Sequence, residues 1–283
     1  MKEIQQIKEF ADILRLTNLR NNAEEVVHRA QIDNPSYLEL VLQILRSEVE
    51  QRQQSDKERR LKAARLLKNS DLDRYDFNFS CGIDRQQMRQ LRELVWVEQA
   101  YNLVLMGPSG TGKSYIASGL VSDAVNKGYR AYFMTMEDLV YILRTKDMVA
   151  ASLSAYNRLL KANLVAIDDI MMFPVKKVEA TAFFNLINHL HEQCSVIITT
   201  NKSPQQWAEA LDDEVLVTAL LDRLLFHCQV VKLQGSSYRM ENRRDIFENA
   251  EEVSGLATAA TPPPLQPLTS SAFSKMSLRF SMR

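Results

Sequence analysis

Two hydrophobic patterns divide the chain. In residues 1–70 apolar side chains recur at helical spacing: Ile4, Ile7, Phe10 and Leu14 share one face, and Asn34-Pro35-Ser36 opens a second amphipathic helix carrying Tyr37, Leu40, Val41, Ile44 and Leu45. From residue 102 the pattern changes to short, uninterrupted apolar blocks at 102–106, 130–134, 164–167, 196–200 and 230–233. Blocks of that kind form parallel strands buried on both faces. Amphipathic stretches between them predict helices over 114–126, from 136 to about 161, and over 179–194, and a further helix over 84–100 leads into the first strand. Strands alternating with helices predict an α/β fold whose core is a five-stranded parallel sheet with covered faces. The expected organisation is a small α-helical N-terminal domain (1–70), an α/β domain (71–250) and a tail (251–283). The tail is rich in Ala, Thr, Ser and Pro, including Thr261-Pro262-Pro263-Pro264. It carries too little apolar surface to repay its ordering entropy and is expected to be disordered.

The turn joining the first strand to its helix is Gly107-Pro108-Ser109-Gly110-Thr111-Gly112-Lys113-Ser114, with Tyr115 next. It fills the whole pattern of a phosphate-cradling P-loop. Glycines let the backbone curl so that successive N–H groups face phosphate oxygens, and the helix N-terminus adds its dipole. Lys113 would neutralise the β/γ charge and the Ser114 hydroxyl would ligate Mg²⁺, so the expected ligands are a nucleoside triphosphate and Mg²⁺. Asp168 and Asp169 follow the third apolar block, at the carboxyl end where the crevice of a parallel sheet lies. Asp168 is expected to hold Mg²⁺ through water and Asp169 to orient or activate the attacking water. Asn201 ends the next block, where its amide could position water against the γ-phosphate or simply close an Asx-turn. Arg223 stands alone in Ala219-Leu220-Leu221-Asp222-Arg223-Leu224-Leu225. It is expected to be buried, and a phosphate held by a neighbouring subunit would satisfy it.

These motifs, with Trp207 and Gly235-Ser236-Ser237-Tyr238-Arg239, occur in an order that resembles the IstB family, ATPase helpers of insertion-sequence transposition related to DnaC helicase loaders within the AAA+ initiator branch. The resemblance covers roughly residues 75 to 245. It implies a P-loop AAA+ core, with Asp169 as the second Walker B acid, Asn201 as sensor 1, Arg223 as an arginine finger acting in trans and Arg239 as a late arginine near ATP. Asp169 is one methylene shorter than the Glu common in such enzymes, which implies slow hydrolysis. Leu190 stands where many relatives carry Arg. Low complexity soon after Arg244 leaves room for no more than a truncated lid.

Overall charge adds little: 35 basic and 35 acidic residues balance over 283 positions. Locally, residues 46–68 carry eight basic against four acidic side chains, which suits either a solvated helix face or an anionic partner. Arg144, Lys146, Arg158 and Lys161 flank the segment where initiator-type AAA+ proteins carry an additional helix. Lys176 and Lys177 follow Met171-Met172-Phe173 in a loop, and all six are candidates for DNA phosphate contact. Cys81, Cys194 and Cys228 form no Cys-x-x-Cys pair. His189 and His191, two apart on a helix, diverge and make a poor metal pair. The N-terminus has no apolar leader and no run approaches the ~18 residues of a membrane span, so a cytoplasmic location is expected. The combined expectation is an ATPase that assembles as a homo-oligomer on duplex DNA and recruits or stimulates a transposase. A DnaC-like helicase loader, a small-molecule kinase and a non-hydrolysing scaffold are the alternatives.

Overall fold

The computed structural model describes residues 2–68, 70–79, 82–170, 177–203, 206–207 and 214–241. Cys81, the loop through Lys176, the expected tail and any lid after Glu241 lie outside the described residues. Three helices come first: α1 (Lys2–Ile13), α2 (Thr17–Asp33) and α3 (Tyr37–Ala64). The Asn34-Pro35-Ser36 signal works as read. Ser36 Oγ accepts from Glu39 N–H while the Glu39 carboxylate accepts from Ser36 N–H at 2.8 Å, a reciprocal capping box. The first half of α3 departs from expectation. Tyr37, Val41 and Leu45 are exposed, and the inward face carries Glu48, whose carboxylate accepts from Leu19 N–H at 2.7 Å at the start of α2. The far end of α3 packs on the helix Lys113–Asn126 and the strand Ala131–Thr135 and buries Ala64.

After a 3-10 turn (Leu72–Arg74), α4 (Arg85–Glu93) and α5 (Val95–Glu98) replace the single helix expected over 84–100. Leu94 between them has φ 60°, which no helix interior tolerates. The alternation then follows the expected order: β1 (Asn102–Met106), α6 (Lys113–Asn126), β2 (Ala131–Thr135), α7 (Met136–Thr145), α8 (Ala150–Leu159), β3 (Leu164–Asp168), α9 (Lys177–Leu190), β4 (Ser195–Thr200), α10 (Glu214–Leu225), β5 (Cys228–Lys232) and α11 (Tyr238–Glu241). The helix expected from 136 to about 161 is two, broken where Met148 and Val149 N–H groups both bond Thr145 O and the chain turns extended at Val149.

All strand pairs are parallel and their order is β2-β3-β4-β1-β5. Successive strand residues feed two cores. Leu103, Leu105, Phe133, Ala166 and Ile197 pack under α6, while Val104, Met134, Val165, Ile167, Val196 and Ile198 pack under α7 to α10. Burial on both faces is why these strands read as continuous apolar runs. This is an α/β fold with a five-stranded parallel sheet covered by helices on both faces. Its strand order sets β4 between β1 and β3, so the end of β4 lies between the P-loop and the Asp168-Asp169 pair. Among the described residues no helix is long and apolar enough to cross a membrane.

Candidate functional site

The P-loop is anchored from both sides. Gly107 N–H donates to Thr200 O at 3.1 Å, tying the loop to β4, and Leu233 N–H donates to Met106 O at 2.7 Å on the β5 side. A Cβ on Gly107 would stand 2.2 Å from Leu233 O, so glycine is required for that approach. Gly110, at φ 85°, is equally committed: its Cβ would lie 2.1 Å from Ser237 Oγ, and its carbonyl accepts from Tyr238 N–H at 3.1 Å. The Gly235–Arg239 segment therefore seats directly on the loop. Lys113 opens α6 with 5 % of its surface exposed, and its Nζ donates to Gly107 O at 2.8 Å and Pro108 O at 2.7 Å. Burial pulls its pKa below the ordinary lysine value. The charges of Asp169 and Asp168 oppose that pull, and Arg239 adds to it. Arg239 thus sits within electrostatic reach of the P-loop lysine.

Across the crevice, Asp168 closes β3 with its carboxylate buried. Ser114 and Thr199 both hydrogen-bond it, Thr199 Oγ1 donating at 2.6 Å. Burial pushes the Asp168 pKa up, against those two hydrogen bonds and the Lys113 charge, with the Asp169 charge adding to the rise. Asp169 is exposed and adopts φ 53°. Asp is one of the few residues with a side chain that visit this region readily, which suits Asp rather than Glu here. Its N–H donates to Thr199 Oγ1 at 2.8 Å, so one buried hydroxyl donates to the first acid and accepts from the second. Asn201 follows β4 directly and is exposed between the acid pair and the P-loop. Thr200 Oγ1 accepts from Lys202 N–H at 3.1 Å and from Trp207 Nε1 at 3.4 Å, which fixes the turn that carries Asn201.

A third wall comes from the segment before α4. The Tyr115 hydroxyl donates to Asp71 O, and Leu67 N–H and Ser70 Oγ both meet Ser118 Oγ at 3.0 Å. These bonds hold Tyr75 beside the loop, 3.4 Å from where a Gly112 Cβ would stand and with its ring 6.1 Å from that of Tyr115. Phe77 packs edge-on against Tyr75 at 4.9 Å, and Phe79 packs edge-on against Tyr238 at 4.9 Å. Tyr75 and Thr199 were not singled out by sequence reasoning. A lone aromatic upstream of a strand, or a Thr inside a β-rich run, carries no local signal of a site.

Arg223 departs from the expectation of burial. It is half-exposed on α10, its Nε donates to Asn188 Oδ1 at 2.7 Å, its Nη1 donates to Ala219 O at 2.9 Å, and its guanidinium lies 4.9 Å from the Phe184 ring centre. Partners on α9 stabilise it without a buried anion. The basic candidates separate into two groups. Arg144 lies 4.0 Å from Glu179 and over Tyr141, and Lys146 pairs with Asp147 and lies over Tyr156. Arg158 and Lys161 are exposed along one cleft, and Lys177 opens α9. Of the cysteines, Cys194 and Cys228 are free thiols that burial pushes up to about 12 and about 11, well away from thiolate chemistry.

The IstB-like ATP binding protein family profile matches residues 9–246. The chain is 46 % identical over 249 residues to an ATP-binding protein of an IS21-like insertion sequence from Bacteroides fragilis, spanning 88 % of this chain and 95 % of that one. It is 36 % identical over 231 residues to the IS21 ATP-binding protein of Pseudomonas aeruginosa, spanning 82 % and 87 %. Solved structures with similar folds include the DnaC helicase loader, at 21 % identity and a TM-score of 0.47 over 59 % of this chain and 97 % of that one. DnaI is similar at 16 % identity and a TM-score of 0.49 over 61 % and 93 %. With a complete P-loop motif in its sequence and a family match over residues 9–246, this chain belongs to the IstB-like ATP binding proteins.

Proposed function

We propose that the chain is a cytoplasmic ATPase that assembles as a homo-oligomer on duplex target DNA and recruits or stimulates a transposase, using ATP state as its switch. The observation that carries this reading is the Thr199 hydroxyl, which bonds Asp168, itself hydrogen-bonded to Ser114, and the Asp169 N–H, and so joins two acids that both lie within electrostatic reach of Lys113. That arrangement suits hydrolysis better than nucleotide binding alone. The Ser114 hydroxyl and the Asp168 carboxylate are hard oxygen donors of the kind Mg²⁺ takes, and bound there the ion would neutralise charge building on the phosphates. Lys113 leaves its carbonyl partners for the β/γ-phosphate oxygens, regaining in the exchange the charge stabilisation that burial had weakened. Asp169 and Asn201 hold water in line with the γ-phosphate, and Tyr75 offers the base an aromatic surface. Arg223 is braced by Asn188 and Phe184 yet open to solvent, as a finger supplied to a neighbouring subunit must be.

Retention of the protein on a duplex tests this. Asp169→Asn keeps ATP binding and stops turnover, so ATP-loaded complexes of the variant should outlast those of the wild type severalfold. Equal lifetimes would mean that turnover does not release DNA.

A further inference from the structure

The charge excess at the end of α3 meets Arg158, in the last turn of α8, and Lys161, just beyond that helix, although the two segments are far apart in sequence. Two clefts of about 430 Å³ each adjoin along β2, an edge strand of the sheet, and share Arg130, Tyr132 and Arg158. One runs between β2 and α8 and adds Lys161; the other runs between β2 and α3 and adds Arg59 and Arg60. Asp56, ion-paired to Arg59, is the single acid lining either cleft. Among the described residues no acidic partner is found for Arg60, Arg130, Arg158 or Lys161, and Arg60 Nε is shielded from water with no acceptor. A buried guanidinium donor without an acceptor is uncommon in folded proteins. The α-helix dipole accounts for cations at the end of α8. It does not account for Arg130 at the entry to a strand, or for Arg59 and Arg60 a turn before the end of α3. Five cations converging from three elements on a groove with one acid match a polyanion with regularly spaced charges.

We propose that this groove is the phosphodiester track of the protein: duplex DNA lays its backbone along the β2 edge, with the exposed Arg130, Arg158 and Lys161 on successive phosphates. The inference rests on the reading of the chain as a DNA-bound helper and names the surface that reading leaves open. Contacts of this kind set affinity and salt dependence without reading bases.

The test is fluorescence anisotropy of a labelled random-sequence duplex with the full-length protein and ATP, across a salt series. The triple variant Arg130→Ala, Arg158→Ala, Lys161→Ala should flatten the slope of log K against log salt by about 2.7, since each phosphate contact contributes about 0.9, which is a loss of some two to three decades near 0.1 M salt. Asp56→Ala removes the one acid and frees Arg59, so it should bind about eightfold tighter under the same conditions. A gain of that kind cannot come from misfolding. Wild-type protein that binds no DNA would overturn the helper reading itself. Wild-type binding with both variants unchanged in affinity and slope would overturn the groove alone and leave that reading standing.

Discussion

Replacing Thr199 by Val probes the centre of the site without opening a cavity. The side chain is fully buried, and the two residues are close in shape, so the change removes one oxygen and little else. That oxygen donates to Asp168 at 2.6 Å and accepts from Asp169 N–H at 2.8 Å. Loss of a hydrogen bond to a charged partner costs about 1.5–3 kcal/mol, and an amide left without an acceptor adds about 1 kcal/mol or more. The sum is about 3 kcal/mol, part of which the Asp168 carboxyl recovers by holding its proton to higher pH. Asp169 also loses the bond that helps hold it at φ 53°, and its backbone is expected to relax toward the more populated regions. Urea unfolding should report the lost stability, and steady-state phosphate release should fall at least tenfold while ATP affinity, set by the P-loop, changes little. Thr199→Ser keeps the oxygen and should retain most turnover. A Val variant within 0.5 kcal/mol of wild type, by the same scale, and with full turnover would show that the hydroxyl does not organise the acids.

Asp168→Asn should stabilise the nucleotide-free protein near neutral pH while weakening Mg²⁺-dependent ATP binding. The folded carboxyl has its pKa raised from the ordinary 3.8, so wild-type stability falls as pH rises from there through the raised value and stays reduced above it. The variant's urea midpoint should lack that fall; a retained fall assigns it to another group. Arg223→Ala should cost about 1–2 kcal/mol for the lost Asn188 bond and Phe184 contact, and lower turnover by a thousandfold or more. Mixing it with Asp169→Asn should restore part of the ATPase, because a mixed assembly pairs an intact acid with an intact finger. A mixture that stays inactive although mixed assemblies form makes Arg223 a structural residue.

The strands, the P-loop and the acid pair were legible because each is a local pattern: apolar blocks, a glycine-lysine spacing, carboxylates at a strand end. The misses come from contacts between distant segments. Thr199 reads as one more β-former until the parallel register places it beside Asp168, and Tyr75 matters only because Tyr115 and Ser118 hold its segment against α6. Arg223 looked buried because its sequence neighbours are apolar, but Asn188 and Phe184 on α9 give it a half-exposed seat. The breaks at Leu94 and Val149 have no Gly or Pro to announce them. The stripe through Tyr37, Val41 and Leu45 has helical period, and period alone does not say whether a face meets a core or solvent.

The central claim is that this site hydrolyses ATP in a manner coupled to DNA. The most direct measurement is steady-state phosphate release by full-length protein with and without duplex DNA, alongside Lys113→Ala. Slow turnover that duplex accelerates, and that the Lys113 variant lacks, is the predicted result. Turnover indifferent to DNA, or undiminished in Lys113→Ala, would contradict it.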